Sequence, residues 1–509
     1  MFRTRNTLLT AGYHFSFILL LLLFISCTSD KKDANTYNRP NIVFIIGDDV
    51  GCYDLGCYGN EGIKTPNIDA LAAEGLKFEN TFLTTSSCSP SRVSIITGRY
   101  PHNTGACELH SPLPANQILF PEILKQNGYY TAQAGKWHFG NTAIITKEKD
   151  TTKLGPAVRA FDRISAVKKI NGDGGENMWV PFLRERPKDK PFFMWFAAYD
   201  SHRPWGADDF EVQNKPGDVW VPEFLYDGDM TRKDLTSYYN EITRLDYYIG
   251  KVEEELERQG IADNTILIFT SDNGRPFPRS KTRVYDSGMK TPLIIKWPDG
   301  IKKDTVVDAL VSIIDLAPTL LDVAGIKAPK TFQGKSFAKL FTRPGSEFRN
   351  YTFSEHNWHD YEAYERQVHT KQWLYLINKR PQFDSWGPAD AVVSPSMKEL
   401  YDAYLNNSLT SEQKNIFTKP RPEEELYDCI DDPFQYQNLA GQPEYAVVQK
   451  KLNEVLSKWQ SETGDTCPDD LTPDHFDRKT GKRLFDGFKW GEMPGASLRA
   501  DTISKAGPF

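Results

Sequence analysis

The sequence predicts an α/β fold in which a large, mostly parallel β-sheet is sandwiched by helices and followed by a smaller C-terminal α+β domain. Three observations predict it. Continuous apolar runs alternate with helical patterns, three of the runs are followed by Asp, Asn or His, and the pattern changes beyond about Arg343. Because 509 residues are too many for one ordinary core, we expect a large domain over residues 40–343 and a smaller one over 344–509.

The elements of the large domain are predicted from apolar patterns. Buried strands are expected at Asn41–Ile46, Pro191–Ala198, Thr265–Thr270 and Pro292–Trp297. Helices are expected from Thr65-Pro66 through Leu76, from about Asp234 to Gln259, and from Ser312 to Ala324. Strands that alternate with helices in this way indicate a parallel sheet with helices on both faces.

The smaller domain has a weaker pattern. We predict a strand at Gln372–Asn378, a loop-rich stretch at Ala391–Arg421, and a helix at Pro443–Glu462. The apolar positions of that helix are Val447, Leu452, Val455, Leu456 and Trp459. A tail rich in Gly, Pro and Asp follows the helix.

The first residues form a targeting segment. Arg3 and Arg5 precede an apolar run over Phe15–Ile25 that is too short for a permanent membrane anchor. Ser26 and Cys27 then resemble the cleavage site of bacterial lipoproteins. We therefore predict a signal peptide at 1–26, a tether at 27–39 and lipidation of Cys27, the alternative being a plain secretory signal. In either case the chain is exported, as a membrane-anchored lipoprotein or as a soluble periplasmic or secreted protein.

Charge and cysteine content narrow the function classes. The net charge of −7 argues against a nucleic-acid partner but permits an anionic substrate in a locally basic cleft. Without Cys27, six of the seven cysteines remain, an even number that permits disulfides in an oxidising compartment. Cys429 and Cys467 are one candidate pair. The chain contains no C-x-x-C motif of a zinc ribbon or a thioredoxin-like site.

Polar side chains follow three of the predicted strands. Their positions are Asp48, Asp49, His202, Asp272 and Asn273. In a parallel α/β sheet, ligands bind beyond the carboxyl ends of the strands, so these side chains are expected to converge. A single Asp or Asn after a strand is usually a turn former. Polar endings on three separate strands favour a shared site.

The segment from Cys88 to Arg92, Cys-Ser-Pro-Ser-Arg, and the triplet Thr97-Gly98-Arg99 carry the most specific signal. Together they resemble the signature of the formylglycine-dependent sulfatases, which have an alkaline-phosphatase-like fold. The resemblance covers nearly all of the chain from Pro40 onward. It implies that Cys88 is oxidised to formylglycine (3-oxoalanine), whose hydrate has one oxygen to attack sulfur and a second to expel sulfate. Pro90 suits the first turn of a helix, which would place residue 88 at a helix N-terminus.

The same resemblance implies a metal site and a set of catalytic side chains. Asp48, Asp49, Asp272 and Asn273, with residue 88, match the ligands of one Ca²⁺ ion, and their hard oxygen donors suit calcium better than zinc. The catalytic positions implied are Cys88, Arg92, Lys136, His138, His202 and Lys281. Arg92 would orient the hydrate, and Lys136 and Lys281 would bind sulfate. His138 would assist release, and His202 would approach the leaving atom.

The substrate is implied less directly. Segments around Cys88, Asp272–Pro278 and Lys458–Thr463 are similar to heparan N-sulfatase, which removes N-sulfate from terminal glucosamine. Lys281 departs from that enzyme, which has Arg there, and Pro204-Trp205 also differs. Glu108–Pro114 is similar to bacterial carbohydrate O-sulfatases. Candidate sugar contacts are Asp200, Trp205, Glu355, His356 and Trp358.

The function expected is therefore removal of sulfate from a terminal sugar of a glycosaminoglycan-like glycan, with little binding energy from remote sugars. The alternative is a carbohydrate O-sulfatase that acts on sugars of the galactose or N-acetylgalactosamine type or on other sulfated sugars. Two other classes are a phosphoryl-transfer relative and a silent carbohydrate-binding protein in which Cys88 is not oxidised. The partners expected are the sulfated carbohydrate, a maturation enzyme that makes formylglycine, and a membrane reached only through the lipid anchor.

Overall fold

The computed structural model describes residues 39–140, 154–166, 175–207 and 209–509. The predicted signal peptide, Cys27 and residues 28–38 of the tether lie outside the described residues. Residues Pro40–Phe509 form one compact unit. Among the described helices, none combines the length and the apolar character that crossing a bilayer requires.

An eight-stranded sheet lies at the centre of the part that the structure describes. Its strands are β1 (Asn41–Gly47), β2 (Leu76–Phe78), β4 (Tyr130–Gly135), β5 (Arg163–Ala166), β6 (Phe192–Ala197), β7 (Thr265–Ser271), β8 (Leu293–Lys296) and β9 (Thr305–Val307). Their spatial order is β5-β4-β6-β1-β7-β8-β2-β9. Strand β8 runs antiparallel to β7 and β2, and the other neighbouring pairs are parallel. The predicted mostly parallel sheet is confirmed.

Both faces of the central strands β1, β6 and β7 are buried, which explains why their sequences are nearly continuous apolar runs. In β1, Ile42, Phe44 and Ile46 belong to one hydrophobic cluster. Val43 and Ile45, which point to the opposite face, belong to another.

Helices cover the two faces. The helices up to the second sheet are α1 (Pro66–Ala73), α2 (Cys88–Thr97), α3 (Phe120–Gln126), α4 (Trp179–Glu185), α5 (Asp229–Arg258), α6 (Asp286–Met289), α7 (Leu316–Val323) and α8 (Lys339–Thr342). Residues of α5 pack in the cluster of Val43 and Ile45. Residues of α2, α3 and α7 pack in the cluster of Ile42 and Phe44.

A second, antiparallel sheet follows. Its strands, in spatial order, are β11 (Thr352–His356), β12 (Glu365–His369), β13 (Trp373–Asn378) and β14 (Glu424–Asp428). A two-stranded sheet of β3 (Thr81–Phe82) and β10 (Val311–Ser312) is separate. The last helices are α9 (Ala389–Val392), α10 (Pro395–Leu405), α11 (Ser411–Lys414) and α12 (Ala446–Thr463). Phe353 and Trp459 stack inside the same cluster as Phe44, so the second sheet shares a core with the first. The boundary at residue 343 stays a prediction.

Several elements differ from the expectation because of long-range contacts. Leu76 lies in β2, which pairs with β8 and β9, rather than in the helix that ends at Ala73. Helix α5 begins at Asp229 instead of Asp234. The Glu399 carboxylate accepts hydrogen bonds from the backbone N–H groups of Met230 and Thr231, and thereby satisfies the first turn of α5 from another helix.

Three further expectations were wrong. The stretch Ala391–Arg421, expected to be loop-rich, contains α10 and α11. Val447 was expected to be an apolar position of the last helix but is 83% exposed, whereas Leu452, Leu456 and Trp459 are buried. The six cysteines of the described residues are all free thiols, so the suggested Cys429–Cys467 disulfide is also wrong.

Candidate active site

Four neighbouring parallel strands, β4, β6, β1 and β7, end at the same edge of the large sheet. The backbone register pairs Gly47 with Ser271, and Gly135 with Ala197, so the residues that follow them emerge side by side. The predicted residues beyond these ends are Asp48, Asp49, Lys136, His138, Asp200, His202, Asp272 and Asn273. The convergence predicted from the strand ends is therefore present in the fold.

The carboxylates beyond β1 and β7 form one buried cluster. The backbone N–H of Asp49 donates to Oδ1 of Asp272 at 3.1 Å. Nδ2 of Asn273 donates to Oδ1 of Asp49 at 2.5 Å. One ligand atom each from Asp48, Cys88 and Asp272 lies within 4.8 Å of the others. The predicted metal ligands are thus brought together, and all are buried.

Cys88 reaches this cluster from a different element. It is the first residue of α2, after the extended Ser87, and its Sγ lies 4.0 Å from Oδ1 of Asp49. The start of a helix concentrates unpaired N–H groups and positive dipole, which favours an anion there. Burial raises the pKa of the Cys88 thiol to about 12. The unmodified thiol is therefore neutral near pH 7 and a weak nucleophile.

Three cationic side chains balance the three carboxylates. Arg92 Nε donates to Asp272 Oδ2 at 2.8 Å, and its Nη2 lies 3.6 Å from Asp48 Oδ1. Lys136 Nζ lies 2.5 Å from Asp48 Oδ2, and Lys281 Nζ lies 2.8 Å from Asp49 Oδ2. All of these side chains are at least nine-tenths buried. Each ion pair therefore gains strength from the low local dielectric.

The pKa values follow from burial and from these charges. Burial raises the pKa of Asp48, but Lys136 and the other nearby cations outweigh it, so this pKa falls well below its ordinary value. Burial raises the pKa of Asp272 to about 7, although Arg92 opposes the rise. Burial lowers the pKa of Lys281, but Asp49 outweighs it, and the pKa ends well above its usual value. Lys281 is therefore protonated near neutral pH.

The two predicted histidines, His138 and His202, have different partners. Burial, followed by the Lys136 charge, lowers the pKa of His138 well below 6.5, so His138 is neutral near pH 7. His138 Nε2 lies 3.0 Å from His110 Nδ1. The ring of His202 donates from Nδ1 to the carbonyl of Arg203 at 2.5 Å. Burial, then Lys281, lowers the pKa of His202.

Two histidines of the site were missed by the sequence analysis. His110 contacts His138, and His359 Nδ1 lies 2.8 Å from the Ser87 hydroxyl, next to residue 88. His110 lies inside the segment Glu108–Pro114 that the resemblance had already singled out. His359 follows the predicted contact Trp358. The only sequence signal for either residue was this proximity to a predicted one.

Three of the predicted sugar contacts have partners within the protein. Both carboxylate oxygens of Asp200 pair with Arg244, at 2.5 and 2.7 Å. The indole N–H of Trp205 donates to Asp234, and its ring stacks on Phe277. These contacts account for both side chains without a ligand.

Glu355 is engaged in the same way, because its Oε1 accepts from the backbone N–H of His102 and lies 2.9 Å from His102 Nδ1. The remaining two candidates lie near the cluster. Trp358 packs with Cys88 and Leu109 in a small hydrophobic group. His356 lines a cavity of about 20 Å³ together with Thr282, His359 and Asp360. Sugar binding by all five residues stays a prediction.

The donor set fits a hard divalent cation. Among the described residues, Oδ1 of Asp48 and Oδ1 of Asn273 are buried oxygens without a hydrogen-bond partner. Buried unsatisfied oxygens are costly, and a cation would satisfy both. Carboxylate and amide oxygens are the ligands that Ca²⁺ prefers. Asp48, Asp49, Asp272, Asn273 and residue 88 are thus suited to hold one such ion.

Comparison with known families gives two matches. The model of the family "Sulfatase" matches residues 40–326, and that of "N-sulphoglucosamine sulphohydrolase, C-terminal" matches residues 279–422. The chain is 30% identical to human N-sulphoglucosamine sulphohydrolase, over 84% of this chain and 91% of the relative. It is 29% identical to an ulvan-active sulfatase of Formosa agariphila, over 88% and 81%.

Two further proteins are similar to this chain, one by sequence and one by structure. An N-acetylglucosamine-6-O-sulfatase of Bacteroides thetaiotaomicron is 26% identical over 89% of this chain and 91% of its own length. A solved structure in complex with its substrate D-glucosamine-2-N,6-O-disulfate superposes with a TM-score of 0.63 and 22% identity, covering 83% of this chain and 98% of that one. This last likeness supports the fold expected from the sequence.

Proposed function

Because the chain belongs to the sulfatase family, we propose that it removes sulfate from the terminal sugar of a sulfated glycan through a formylglycine made from Cys88. It is a carbohydrate sulfatase. The observation that carries the mechanism is the cluster described above: Cys88 at the start of α2, beside three carboxylates and three cations. A neutral thiol is a weak nucleophile at this position. The surrounding cations and carboxylates would instead orient and polarise the hydroxyls of a hydrated aldehyde.

The proposed reaction uses both oxygens of the hydrated aldehyde. Water adds to the aldehyde of residue 88 to give a geminal diol. One diol oxygen gives up its proton and attacks sulfur as the bond from sulfur to the sugar oxygen or nitrogen breaks. The leaving atom takes up one proton, which His202 gives from its doubly protonated form, a form that the negative charge of the bound sulfate favours. His138, neutral near pH 7, then takes the proton of the second hydroxyl. The carbonyl reforms, and the bond from its carbon to the sulfate oxygen breaks to release sulfate.

Charge complementarity supports these roles. When ionised, Asp48, Asp49 and Asp272 carry three negative charges, and Arg92, Lys136 and Lys281 carry three positive ones, so the cluster alone is neutral. A bound calcium ion would add positive charge that polarises the hydrate and a sulfate oxygen. With sulfate in place, Lys136 and Lys281 would turn from the carboxylates to the transferring sulfuryl oxygens, where negative charge is greatest.

The first test is the chemistry of residue 88. We expect peptide mass spectrometry of active protein to find formylglycine at this position, and Cys88→Ala to lose sulfate release by about 10³-fold or more. Cys88→Ser is expected to trap a sulfated protein, since serine lacks the second hydroxyl. Cys467→Ala, a cysteine outside the cluster, serves as the control and should keep wild-type turnover. Active protein with only unmodified thiol would refute the mechanism.

The second test is metal binding. We expect one Ca²⁺ per chain by elemental analysis of purified protein, and loss of that ion in Asp272→Asn. Asp246→Asn, which changes a buried carboxylate of α5 that bonds Asn67 and Ile68, is the control and should keep the ion. Because metal content is read directly, the result does not depend on turnover. Full calcium occupancy in Asp272→Asn would show that the Asp272 carboxylate is not a required ligand.

For the substrate, we propose the N-sulfate of a terminal glucosamine. The C-terminal match to N-sulphoglucosamine sulphohydrolase and the 30% identity to the human enzyme support this choice. An O-sulfated sugar is the second candidate, supported by the ulvan-active and N-acetylglucosamine-6-O-sulfatase relatives. Matched monosaccharides sulfated at the nitrogen or at one oxygen distinguish them. The N-sulfated sugar should have the higher kcat/KM, and preference for an O-sulfate would favour the second candidate.

We also propose that the chain is exported and anchored through Cys27. The basic Arg3 and Arg5, the apolar run and the small residue before Cys27 support this proposal. Wild-type protein should fractionate with membranes and carry an acyl group on Cys27. Cys27→Ser should be released into the soluble exported fraction.

A further inference from the structure

Two aromatic side chains of the C-terminal tail, residues 464–509, are exposed next to each other. Phe488 is 43% exposed and Trp490 is 41% exposed. Their rings stack with centroids 5.3 Å apart at an angle of 19°. Single exposed apolar residues are common, whereas contiguous exposed apolar surface is a feature of ligand-binding and contact sites. The tail lies beyond the residues that either family model matches, 40–326 and 279–422.

These two rings adjoin the candidate active site. Trp358, which packs against Cys88, lies 6.1 Å from the Phe488 ring and 5.6 Å from the Trp490 ring. Phe488 also lies 5.7 Å from the ring of His110, which contacts His138. Trp358 therefore lies between the exposed pair and residue 88, and His110 lies between Phe488 and His138.

The tail is fixed in this position by contacts on both sides of the pair. The backbone N–H of Gly491 donates to the Thr472 hydroxyl, which in turn donates to Glu108. The His475 ring stacks under Phe488 at 5.2 Å, and its backbone N–H donates to the carbonyl of Asp360. A ring surface that is already ordered binds a ligand without the entropy cost of ordering it.

We propose that Phe488 and Trp490 form a stacking surface for the sugar ring next to the one that carries the sulfate. The inference rests on the proposed function. Trp358 is only 3% exposed and touches residue 88, so the sulfated sugar would sit over it, and the exposed rings lie one side chain further out. The C–H groups on one face of a pyranose ring form an apolar patch that packs on an aromatic ring. The enzyme would thus recognise a second sugar in addition to the terminal one expected from the sequence.

The test compares a sulfated disaccharide with the monosaccharide that has the same sulfated terminal sugar. In the double variant Phe488→Ala/Trp490→Ala, the disaccharide-to-monosaccharide ratio of kcat/KM should fall by about tenfold, the loss expected for truncating a contact aromatic. Tyr404→Ala removes a ring of similar exposure, 40%, on α10 and should keep the wild-type ratio. Inhibition by inorganic sulfate, which occupies only the sulfate site, reports on the integrity of the cluster.

Two outcomes would overturn the proposal. One is an unchanged ratio in the double variant. The other is a parallel loss of both substrates and of sulfate inhibition, which would mean that the rings only support the site. Calorimetric binding of the disaccharide to Cys88→Ala protein, with and without the two tail substitutions, tests the surface without turnover. A wild-type protein inactive on both saccharides would refute the proposed function, while this binding comparison would still decide the stacking surface.

Discussion

Arg99 ends the signature that identified the family, yet its side chain serves the scaffold. Its guanidinium donates to the backbone carbonyls of Asn103, Thr331, Asp501 and Ile503. Because guanidinium presents five donors in a fixed planar array, it can join these separate segments. Arg92, seven positions earlier, directs its donors to the carboxylates of the cluster. One motif therefore contains residues with unrelated physical roles.

Glu108 gives a prediction about pH. It is fully buried, its Oε2 accepts from Thr472, and its Oε1 has no partner among the described residues. Burial raises the pKa of Glu108 from 4.5 to about 8, and the Thr472 hydrogen bond only partly offsets this. The folded protein therefore holds this proton more tightly than the unfolded chain does. The stability that Glu108 contributes is complete below about pH 4.5 and is lost as the pH rises through about 8.

We expect Glu108→Gln to remove this pH dependence, since glutamine keeps an acceptor for Thr472 and never ionises. The free energy of unfolding of the variant relative to wild type should increase from about pH 5 to about pH 9, by on the order of a few kcal/mol, and its Tm should rise with it. Thermal unfolding across this pH range measures it. Glu444→Gln, an exposed position, should give a difference that does not change with pH. Parallel curves for Glu108→Gln and wild type would contradict the prediction.

At the scale of elements, the C-terminal end of helix α2 is closely packed. Its first residue is Cys88, and its last turn closes on Gly98 in the left-handed region at φ 61°. Glycine is favoured there because a Cβ is strained at positive φ. A Cβ on Gly98 would also lie 3.1 Å from the Phe332 ring and 3.2 Å from the Ala317 methyl. The end of α2 is therefore packed closely against its neighbours.

We expect Gly98→Ala to lower the free energy of unfolding by about 1 kcal/mol from backbone strain, with a further loss from crowding. Gly325→Ala is the matched control, because Gly325 has φ 71° and no atom lies within 4 Å of the place that an added methyl group would occupy. Both variants incur the backbone cost, and only Gly98→Ala adds the contact with Phe332 and Ala317. Chemical denaturation of both measures the difference. Equal losses would mean that the helix end relaxes freely.

At the scale of the whole molecule, the site lies between the large sheet and the C-terminal part of the chain. The β11 end and the tail approach it through Trp358 and Phe488, and the tail bonds Glu108 through Thr472. Because protein segments border the site on these sides, we expect a pocket that accepts the end of a glycan and not an open groove that accepts its interior.

We therefore expect an exo-acting enzyme. Sulfate release from a short saccharide with a sulfated terminal sugar should exceed release from a polymer sulfated only internally. A hydroxyl without its partner in a closed pocket costs roughly 1–3 kcal/mol, so discrimination between the two should be strong. Initial rates at equal concentrations of sulfate groups measure it. Faster release from the internal positions would indicate an open, endo-acting groove.

The sequence by itself determined the sheet core, the strand-end carboxylates and the position of Cys88 at a helix start. These features depend on local patterns: an apolar run forms a buried strand, and the residue after it lies at the carboxyl edge. The signature around Cys88 is likewise continuous in the chain. For the same reason four of the eight strands of the large sheet, β1, β6, β7 and β8, were predicted, whereas β4 and the other short strands, which are not continuous apolar runs, were not. The start of α5 depended on Glu399 in another helix.

Only the tertiary structure decided which polar and aromatic side chains face the cleft. Asp200 and Trp205 follow a strand as Asp48 does, but Arg244 and Asp234 on α5 engage them. Phe488 gave no sequence signal and yet lies beside His110. The physical reason is that a side chain's partners are chosen by packing between segments distant in the chain. A local pattern determines whether a segment forms a strand or a helix. The tertiary fold determines which side chains remain available to contact a substrate.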